Sequence, residues 1–395
     1  MRILICSVSS SRRPSGICRH SANLARCLAE RDDVSSVVLL VGPWQLQYFT
    51  SAFGLRHPKL QLIAPNVYPG ALARNAWYMR VLPSVARDYA ADIVHLAYPA
   101  PLIRNAFGRP VVTSIHDLYP YDIPGNFGRS RVYFNRLFLR QSLNNSAAIV
   151  CSSDFTLNRL RSLKLEAAKT KSIRIYQSVE FCSVSSRPPM MPEIDGRRFL
   201  LSVAQHRRNK NLELLLQGYA ELRRRDSQWE ECRLVIVGSS GPETPRLQRV
   251  VRQLSLHRHV LFSAPVTDEE LCWLYRHCSS FVATSSIEGF GLPIVEALQC
   301  GARVVCSAIP VFHEIAGNAA HFFDLQTSSP AESLADAIVA CLQETPLQPA
   351  ALDKFSPELI AEQHLSLYSD LLASHITYAS GSEAYPSTTL AAIDK

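Results

Sequence analysis

Two kinds of segment alternate along this chain: short apolar runs, and longer stretches in which hydrophobic residues return at helical spacing. In the first half the runs lie at 3–8, 37–41, 93–96, 111–114, 149–151 and 173–176. Unbroken apolar runs of this kind read as strands buried on both faces, as in a parallel sheet. Between them, stretches such as "SANLARCLAE" and "RVYFNRLFLRQSL" carry the helical period. The pattern then breaks at "SSRPPMMPEIDGRR", which is rich in Ser and Pro and has no apolar period, so it reads as a linker. A second alternation follows: "RFLLSV", "NLELLLQGYAELRRR", "RLVIVG", "TPRLQRVVRQL", "VLFSA", "DEELCWLYRH", "SFVAT", "PIVEALQC", "ARVVCS". Thr267 with Glu270 three residues on forms a capping box and predicts a helix start at Asp268. The expected architecture is α/β, with two parallel-sheet domains facing each other across a cleft. Their boundaries are set at 1–180 and 197–354 around a linker at 181–196. "SPELIAEQHLSLYSDLLASH" predicts a last amphipathic helix, placed at 355–375, and the small polar residues of 376–395 read as a disordered tail.

Composition narrows the classes. At 395 residues, 47% hydrophobic and 19% charged, the chain suits two globular domains. A net charge of +7 fits phosphate-bearing ligands or anionic surfaces, and no nucleic-acid-binding motif accompanies it. The eleven cysteines form no CxxC pair, and several lie inside strand-like runs, so reduced buried thiols are expected. The opening "MRILICSVSSSRR" has an apolar run too short for a signal-peptide core, and no run approaches the roughly 18 apolar residues of a membrane span. A cytoplasmic enzyme is the resulting expectation.

Candidate chemistry concentrates in "SSIEGFGLPIVEALQCG", residues 285–301. The strand "SFVATSS" should end near Ser285, and Pro293 suits the first residue of the next helix. The turn between them, "IEGFGL", has glycines that let backbone approach a ligand, and free N–H groups at the helix start favour a diphosphate. Glu296 is expected in the first helical turn, kept ionised by the positive end of the dipole and ready to accept hydroxyls. Glu288 stands at the loop mouth. Hydroxyls at two places with phosphates between them describe a nucleotide sugar. Taken alone, two glutamates at this spacing are an ordinary helix charge and an ordinary loop charge; their neighbours single them out.

"EGFGLPIVEAL", followed by "CGARVVCS" and "HEIAGNAAHFFD", resembles the C-terminal domain of family 4 (group 1) retaining glycosyltransferases, which have the GT-B fold of two Rossmann-like domains. The resemblance extends through "SGICRHSANLARCLAE", "VTSIHDLYPYDIP", "IVCSSDFTLNRL", "LLSVAQHRRNKNLELLLQGY" and "VTDEELCWLYRHCSSFVATSS". It implies that Glu296 holds the ribose, and that Glu288 with the backbone of Gly289, Phe290, Gly291 and Leu292 holds the donor sugar and its phosphate. It further implies that Lys210, with Arg207 or Arg208, neutralises the diphosphate, and that Gly16 lets the first helix approach it. His116 would sit against the sugar, with Asp117 on the acceptor side. Glu288, His116 and Lys210 form the expected catalytic set. No cofactor or metal is expected, and no Asp-x-Asp stands near a strand end. The last helix would cross back to the first domain.

The chain departs from the family pattern at Gln205, where many relatives have arginine, at Gln177, Ser178 and Glu180 in "IYQSVE", and at Ser15-Gly16 in place of a glycine pair. The expected activity is transfer of a hexose from a nucleotide diphosphate sugar, GDP-mannose or a UDP-hexose, to a glycan or lipid-linked glycan in polysaccharide biosynthesis. The alternatives are a non-catalytic nucleotide-sugar-binding protein, an epimerase, or a dinucleotide oxidoreductase, which would want a G-x-G-x-x-G after the first strand. "RNAWYMRVLPSVARDY" and "GRSRVYFNRLFLRQSL" mix basic and aromatic residues, which raises peripheral contact with the inner face of an anionic membrane.

Overall fold

The structure, a computed structural model, describes residues 1–10, 12, 15–126, 128–163, 171–181, 186–345 and 352–380. The first sheet holds β1 (Arg2–Cys6), β2 (Ser36–Leu40), β3 (Leu60–Ile63), β4 (Ile93–Leu96), β5 (Val111–Ile115), β6 (Ala148–Cys151) and β7 (Ser172–Arg174), in the order β3-β2-β1-β4-β5-β6-β7. The second holds β8 (Phe199–Val203), β9 (Arg233–Val237), β10 (Val260–Ser263), β11 (Ser280–Ala283), β12 (Val304–Ser307) and β13 (Ala320–Phe323), in the order β10-β9-β8-β11-β12-β13. All pairings are parallel, with register such as Ile5↔Leu39, Ile5↔His95 and Val203↔Val237.

Both orders reverse direction once, between β1 and β4 and between β8 and β11. At such a switch point the connections leave to opposite sides and open a crevice beyond the carboxyl ends of the strands, where doubly wound sheets bind ligands. In the second domain the loops bounding that crevice are residues 204–211, after β8, and 284–291, after β11. These are the segments that carry Lys210 and Glu288.

The fully buried strands β4, β5 and β6 follow from largely apolar sequence, with His95, Thr113 and Ser114 the polar residues they enclose. The two strands that the apolar runs did not predict, β3 ("LQLI") and β13 ("AHFF"), lie at sheet edges and are partly exposed. An edge strand has one neighbour instead of two, so its side chains need not be uniformly apolar. The Thr267–Glu270 capping box forms as expected, the Glu270 N–H reaching Thr267 Oγ at 3.3 Å and the Thr267 N–H reaching Glu270 Oε2 at 3.0 Å. The described cysteines are free thiols, and most are buried.

One hydrophobic cluster passes from Ile3 and Ile5 through Ile175, Val179 and Phe181 to Phe290, Val295 and Phe355, so the two sheets share apolar packing beside the linker. Residues 182–185 of the expected linker lie outside the described residues. The last helix, Pro357–Ser380, packs on α1 (Gly16–Ala29). Its Tyr368 hydroxyl meets His95 Nδ1 at 2.5 Å in the first domain. The backbone of 376–380, expected in the tail, forms the end of this helix; 381–395 lie outside the described residues.

Candidate active site

β11 ends at Ala283, and Gly291, with φ of +122°, turns the chain into the helix Leu292–Gln299. Few residues with a Cβ adopt that backbone angle. Pro293 is the second helical residue rather than the first, and its missing N–H is again one the helix would leave unpaired. Glu296 consequently lies in the second turn. The helix N-terminus is too far away to keep it charged, because that field fades within one turn.

An arginine from the opposite domain supplies the charge instead. Arg19, on α1, offers Nη2 to Asp268 Oδ1 at 2.6 Å and Nη1 to Asp268 Oδ2 at 3.0 Å, with its Nε 3.5 Å from Glu296 Oε1. The Tyr275 hydroxyl donates to Glu296 Oε2 at 3.0 Å. Burial raises the Glu296 pKa, the charge of Arg19 works against that rise, and Asp268 adds to it.

Glu288 is also buried, at 8% exposure. Its Oε1 accepts from Ser285 Oγ at 2.6 Å and pairs with Lys210 Nζ, while its Oε2 accepts from the Tyr119 hydroxyl at 3.0 Å. Lys210 closes the short turn Arg208–Lys210, after which Asn211 takes a left-handed conformation and starts the helix Leu212–Arg225. Arg207 and Arg208 are exposed. The charge of Arg207 bears on Asp117 and Tyr119, so it faces the cleft.

Gly289 is where the domains touch. A Cβ on it would fall 1.5 Å from His116 O, so no other residue fits this contact. Its carbonyl accepts from Ser153 Oγ at 2.7 Å, Ser152 Oγ at 3.1 Å and Thr156 Oγ1 at 3.1 Å, all in the first domain. Phe290 packs against Tyr176 and Phe355 and fixes the turn from behind. Gly16 is less constrained, since a Cβ there would meet Leu292 Cδ1 at an ordinary 3.8 Å. Glu314, in "HEIAG", also ties the domains: its carboxylate accepts the N–H groups of Asp154 and Phe155 at 2.7 and 3.0 Å, beside the Ser153 cap of the helix Asp154–Ser162.

His116 has an occupation different from the expected one. Its Nε2–H donates to Ala97 O at 2.8 Å, and its Nδ1 accepts from Gln177 Nε2 at 3.2 Å. Burial pushes its pKa down to about 4, so it is a neutral ring with both nitrogens used inside the protein. In this closed arrangement it presents its backbone oxygen to the turn and no free nitrogen to a sugar. Asp117 accepts from the Tyr119 N–H at 3.2 Å, and burial, helped by Glu288, pushes its pKa up to about 6 against the pull of Lys210 and Arg207. Asp117, Tyr119, Asp122, Arg159 and Glu288 border a crevice too narrow to hold a water molecule, so a ligand enters it only when the loops part.

Arg19, Asp268, Tyr119 and Gln177 are the site residues that sequence reasoning did not pick out. Arg19 and Tyr119 lie inside motifs quoted above, and Gln177 was visible as a departure, but no spacing links positions 19 and 296. Among the described residues no group of three or more His, Cys, Asp or Glu is arranged to hold a metal ion.

Comparison with known proteins agrees with this architecture. Residues 191–354 match the family model of glycosyl transferases group 1, and residues 14–174 match that of glycosyltransferase family 4. The chain is 26% identical over 340 residues to the O-antigen chain mannosyltransferase B of Escherichia coli, covering 81% of this chain and 85% of that protein. In fold it is similar to sucrose-phosphate synthase from Thermosynechococcus elongatus, with a TM-score of 0.70, 19% identity and coverage of 94% and 99% of the two chains. It is also similar to Anabaena HepE in complex with UDP-glucose, with a TM-score of 0.64, 17% identity and coverage of 96% and 100%. The epimerase, oxidoreductase and non-catalytic readings are not favoured. With two Rossmann-like domains in the GT-B arrangement and both halves matched, the chain belongs to the group 1, family 4 glycosyltransferases.

Proposed function

We propose that this glycosyltransferase moves mannose from GDP-mannose to a glycan or lipid-linked glycan, with retention and without a required metal. The observation that carries the reading is the pair of buried carboxylates, Glu288 just before the Gly289–Gly291 turn and Glu296 in the helix after it, with the Lys210 cation on the first of them. Glu296 takes the ribose hydroxyls. Glu288 takes the hexose, and the backbone of Gly289, Phe290, Gly291 and Leu292 borders the phosphate beyond it. Lys210 and Arg207 face the diphosphate, Arg207 favoured over Arg208 by its bearing on Asp117 and Tyr119. As the bond from the sugar C1 to the phosphate oxygen breaks, charge grows on that oxygen, and fixed cations there lower the barrier. The acceptor oxygen bonds to C1 on the same face, and its proton passes to the departing phosphate. Asp117 and the pocket beside Glu288 receive the acceptor, so positioning by both domains supplies much of the rate. Mannose and its GDP carrier are favoured over UDP-glucose by the O-antigen mannosyltransferase relative, which aligns over most of both chains.

The test is thermal stabilisation and turnover with a panel of nucleotide sugars, for the wild type beside Glu296→Ala and Lys210→Ala. At 100 times its dissociation constant a donor adds about 2.7 kcal/mol of stability. GDP-mannose should stabilise the wild type, and both substitutions should abolish the shift. Stabilisation by a UDP-hexose alone would move the donor assignment, and stabilisation by none would sink it.

The acceptor-side domain also exposes apolar residues at two helices. Tyr68 and Leu72 stand 74% and 86% exposed at one helix, and Tyr133, Phe134 and Leu137 are exposed on the helix Arg129–Asn145, with Arg80, Arg104 and Arg140 exposed on the same domain. Aromatic residues among arginines fit an anionic lipid surface, each cation adding about 1 kcal/mol there. We assign these two segments to peripheral contact with the cytoplasmic leaflet, where a lipid-linked acceptor would be met. No described helix is long and apolar enough to cross a membrane. Failure to float with anionic liposomes at low salt would remove this assignment.

A further inference from the structure

Glu296 is the most enclosed carboxylate of the site, and the cation nearest to it belongs to the other domain. Arg19 spends two N–H groups on the two oxygens of Asp268 and turns its Nε toward Glu296. The rings of Phe53 and Phe181 lie 5.6 and 5.7 Å from its Cζ and shield it from water. A planar guanidinium held on three sides has one orientation, which a lysine ammonium would not. Asp268 thus anchors the arginine independently of Glu296, and ribose hydroxyls can bond to Glu296 without setting the cation loose.

We propose that Arg19 is a positioning residue for the nucleotide: it keeps Glu296 charged and aimed at the ribose, and does so only while the two domains are closed. Recognition of the ribose, although its carboxylate belongs to the second domain, is then completed by the first. This inference rests on the reading of Glu296 as the ribose acceptor. The groups facing Glu296 are Arg19 from α1, Asp268 and Tyr275 from the helix Asp268–His277, and Cys300 on its own helix. Among these Arg19 is the one positive charge. Burial already raises the Glu296 pKa, so removing Arg19 raises it further. Protonated Glu296 is a poorer acceptor for two hydroxyls, and nucleotide affinity lost as pH falls would therefore be lost at a higher pH in the variant.

The experiment is calorimetric titration of the full chain with GDP and UDP, each beside its 2′,3′-dideoxy form, from about pH 8 to about pH 5. The wild type should bind the ribose form of its nucleotide about tenfold or more tightly than the dideoxy form, as expected for hydrogen bonds to a charged acceptor. Glu296→Gln should erase that preference. Arg19→Gln should reduce it severalfold and move the acid loss of affinity upward, and Arg19→Lys, which restores the charge without the fork, should recover part of both. Asp268→Ala, which loosens the anchor, should weaken the preference in the same direction and keeps the test alive if Arg19→Gln does not fold. If the wild type shows no preference, or Glu296→Gln keeps it, the ribose reading fails and takes the proposal with it. If Glu296→Gln loses the preference while Arg19→Gln or Asp268→Ala keeps it, the ribose reading stands and the role of Arg19 is overturned.

Discussion

Adding a single methyl group at Gly289 should separate the domains without unfolding either. The new Cβ would stand 1.5 Å from His116 O, and Cβ contacts under 3.0 Å do not occur, so the turn must retreat by roughly 1.5 Å. Neither partner in the clash is a flexible side chain, so the retreat moves backbone on both sides of the cleft. It pulls the Gly289 carbonyl from Ser152, Ser153 and Thr156. Each hydroxyl bond contributes about 1 kcal/mol net, and a carbonyl has two lone pairs, so the third adds less; the loss is about 2–3 kcal/mol, or roughly 30- to 150-fold in the ratio of closed to open molecules. The readouts are the radius of gyration from solution scattering and turnover of GDP-mannose with acceptor. Gly289→Ala should be more expanded than the wild type and far less active. Ser153→Ala takes one hydroxyl from the Gly289 carbonyl without a clash and should lose about fivefold in closure, besides the helix cap that Ser153 Oγ provides to the Thr156 N–H. A Gly289→Ala protein as compact and active as the wild type would show that the Gly289–His116 contact does not control closure.

Three further outcomes follow from buried polar groups. His20, His95, His116 and His364 all have lowered pKa values, chiefly through burial, with His116 near 4 and His364 near 3. They are neutral when folded, whereas the unfolded chain protonates them below about 6.5, so their contribution is complete above that pH and is lost as pH falls toward 4 and 3. Asp117, raised to about 6, and Glu296, also raised by burial, act in the opposite sense, two groups against four. Denaturant midpoints should fall between pH 6.5 and 4, and His364→Leu should flatten that slope by up to about 1.4 kcal/mol per pH unit, one proton's worth; an unchanged slope would count against a neutral buried His364. Tyr368→Phe strands His95 Nδ1 in the core and should cost about 1–3 kcal/mol in equilibrium unfolding. Glu314→Ala leaves the Ser153 cap in place but takes the carboxylate from the N–H groups of Asp154 and Phe155 across the interface; it should cost about 1 kcal/mol, read as a lower melting temperature and as greater protease sensitivity near residue 154.

What the sequence disclosed and what it hid divide along a physical line. Interior strands such as β4 (Ile93–Leu96) and β5 (Val111–Ile115) are enclosed on both faces, so their composition alone reveals them. β3 and β13 have one open side, and their polar or small residues blurred the same signal. Within the site, the Glu288 and Lys210 segments were legible because each is a local strand-to-helix turn whose chemistry is written in consecutive residues. Glu296 was placed on the correct helix but one turn too early, since the helix starts at Leu292 and its position relative to the dipole depends on where that start falls.

That small displacement matters for how the site works. Had Glu296 been in the first turn, the second domain would have kept it charged through its own backbone, and nucleotide binding would have been a property of that domain alone. One turn further on, the field is too weak and the burial is complete, so the counter-charge has to come from a side chain. The one present, Arg19, arrives from α1 of the first domain. The same division recurs at Glu288, whose outer oxygen is held by Tyr119, and at Gly289, whose carbonyl is held by three hydroxyls of the first domain. Glu296, Glu288 and Gly289, three of the groups proposed to meet the donor, are thus already paired to the domain proposed to carry the acceptor. Donor binding must exchange the contacts at Glu288 and Gly289 for its own while preserving closure and the Arg19 pair at Glu296, which couples occupancy of the nucleotide site to the approach of the acceptor. Such coupling cannot be found by scanning either half alone, because every one of these pairs joins residues more than a hundred positions apart in the chain.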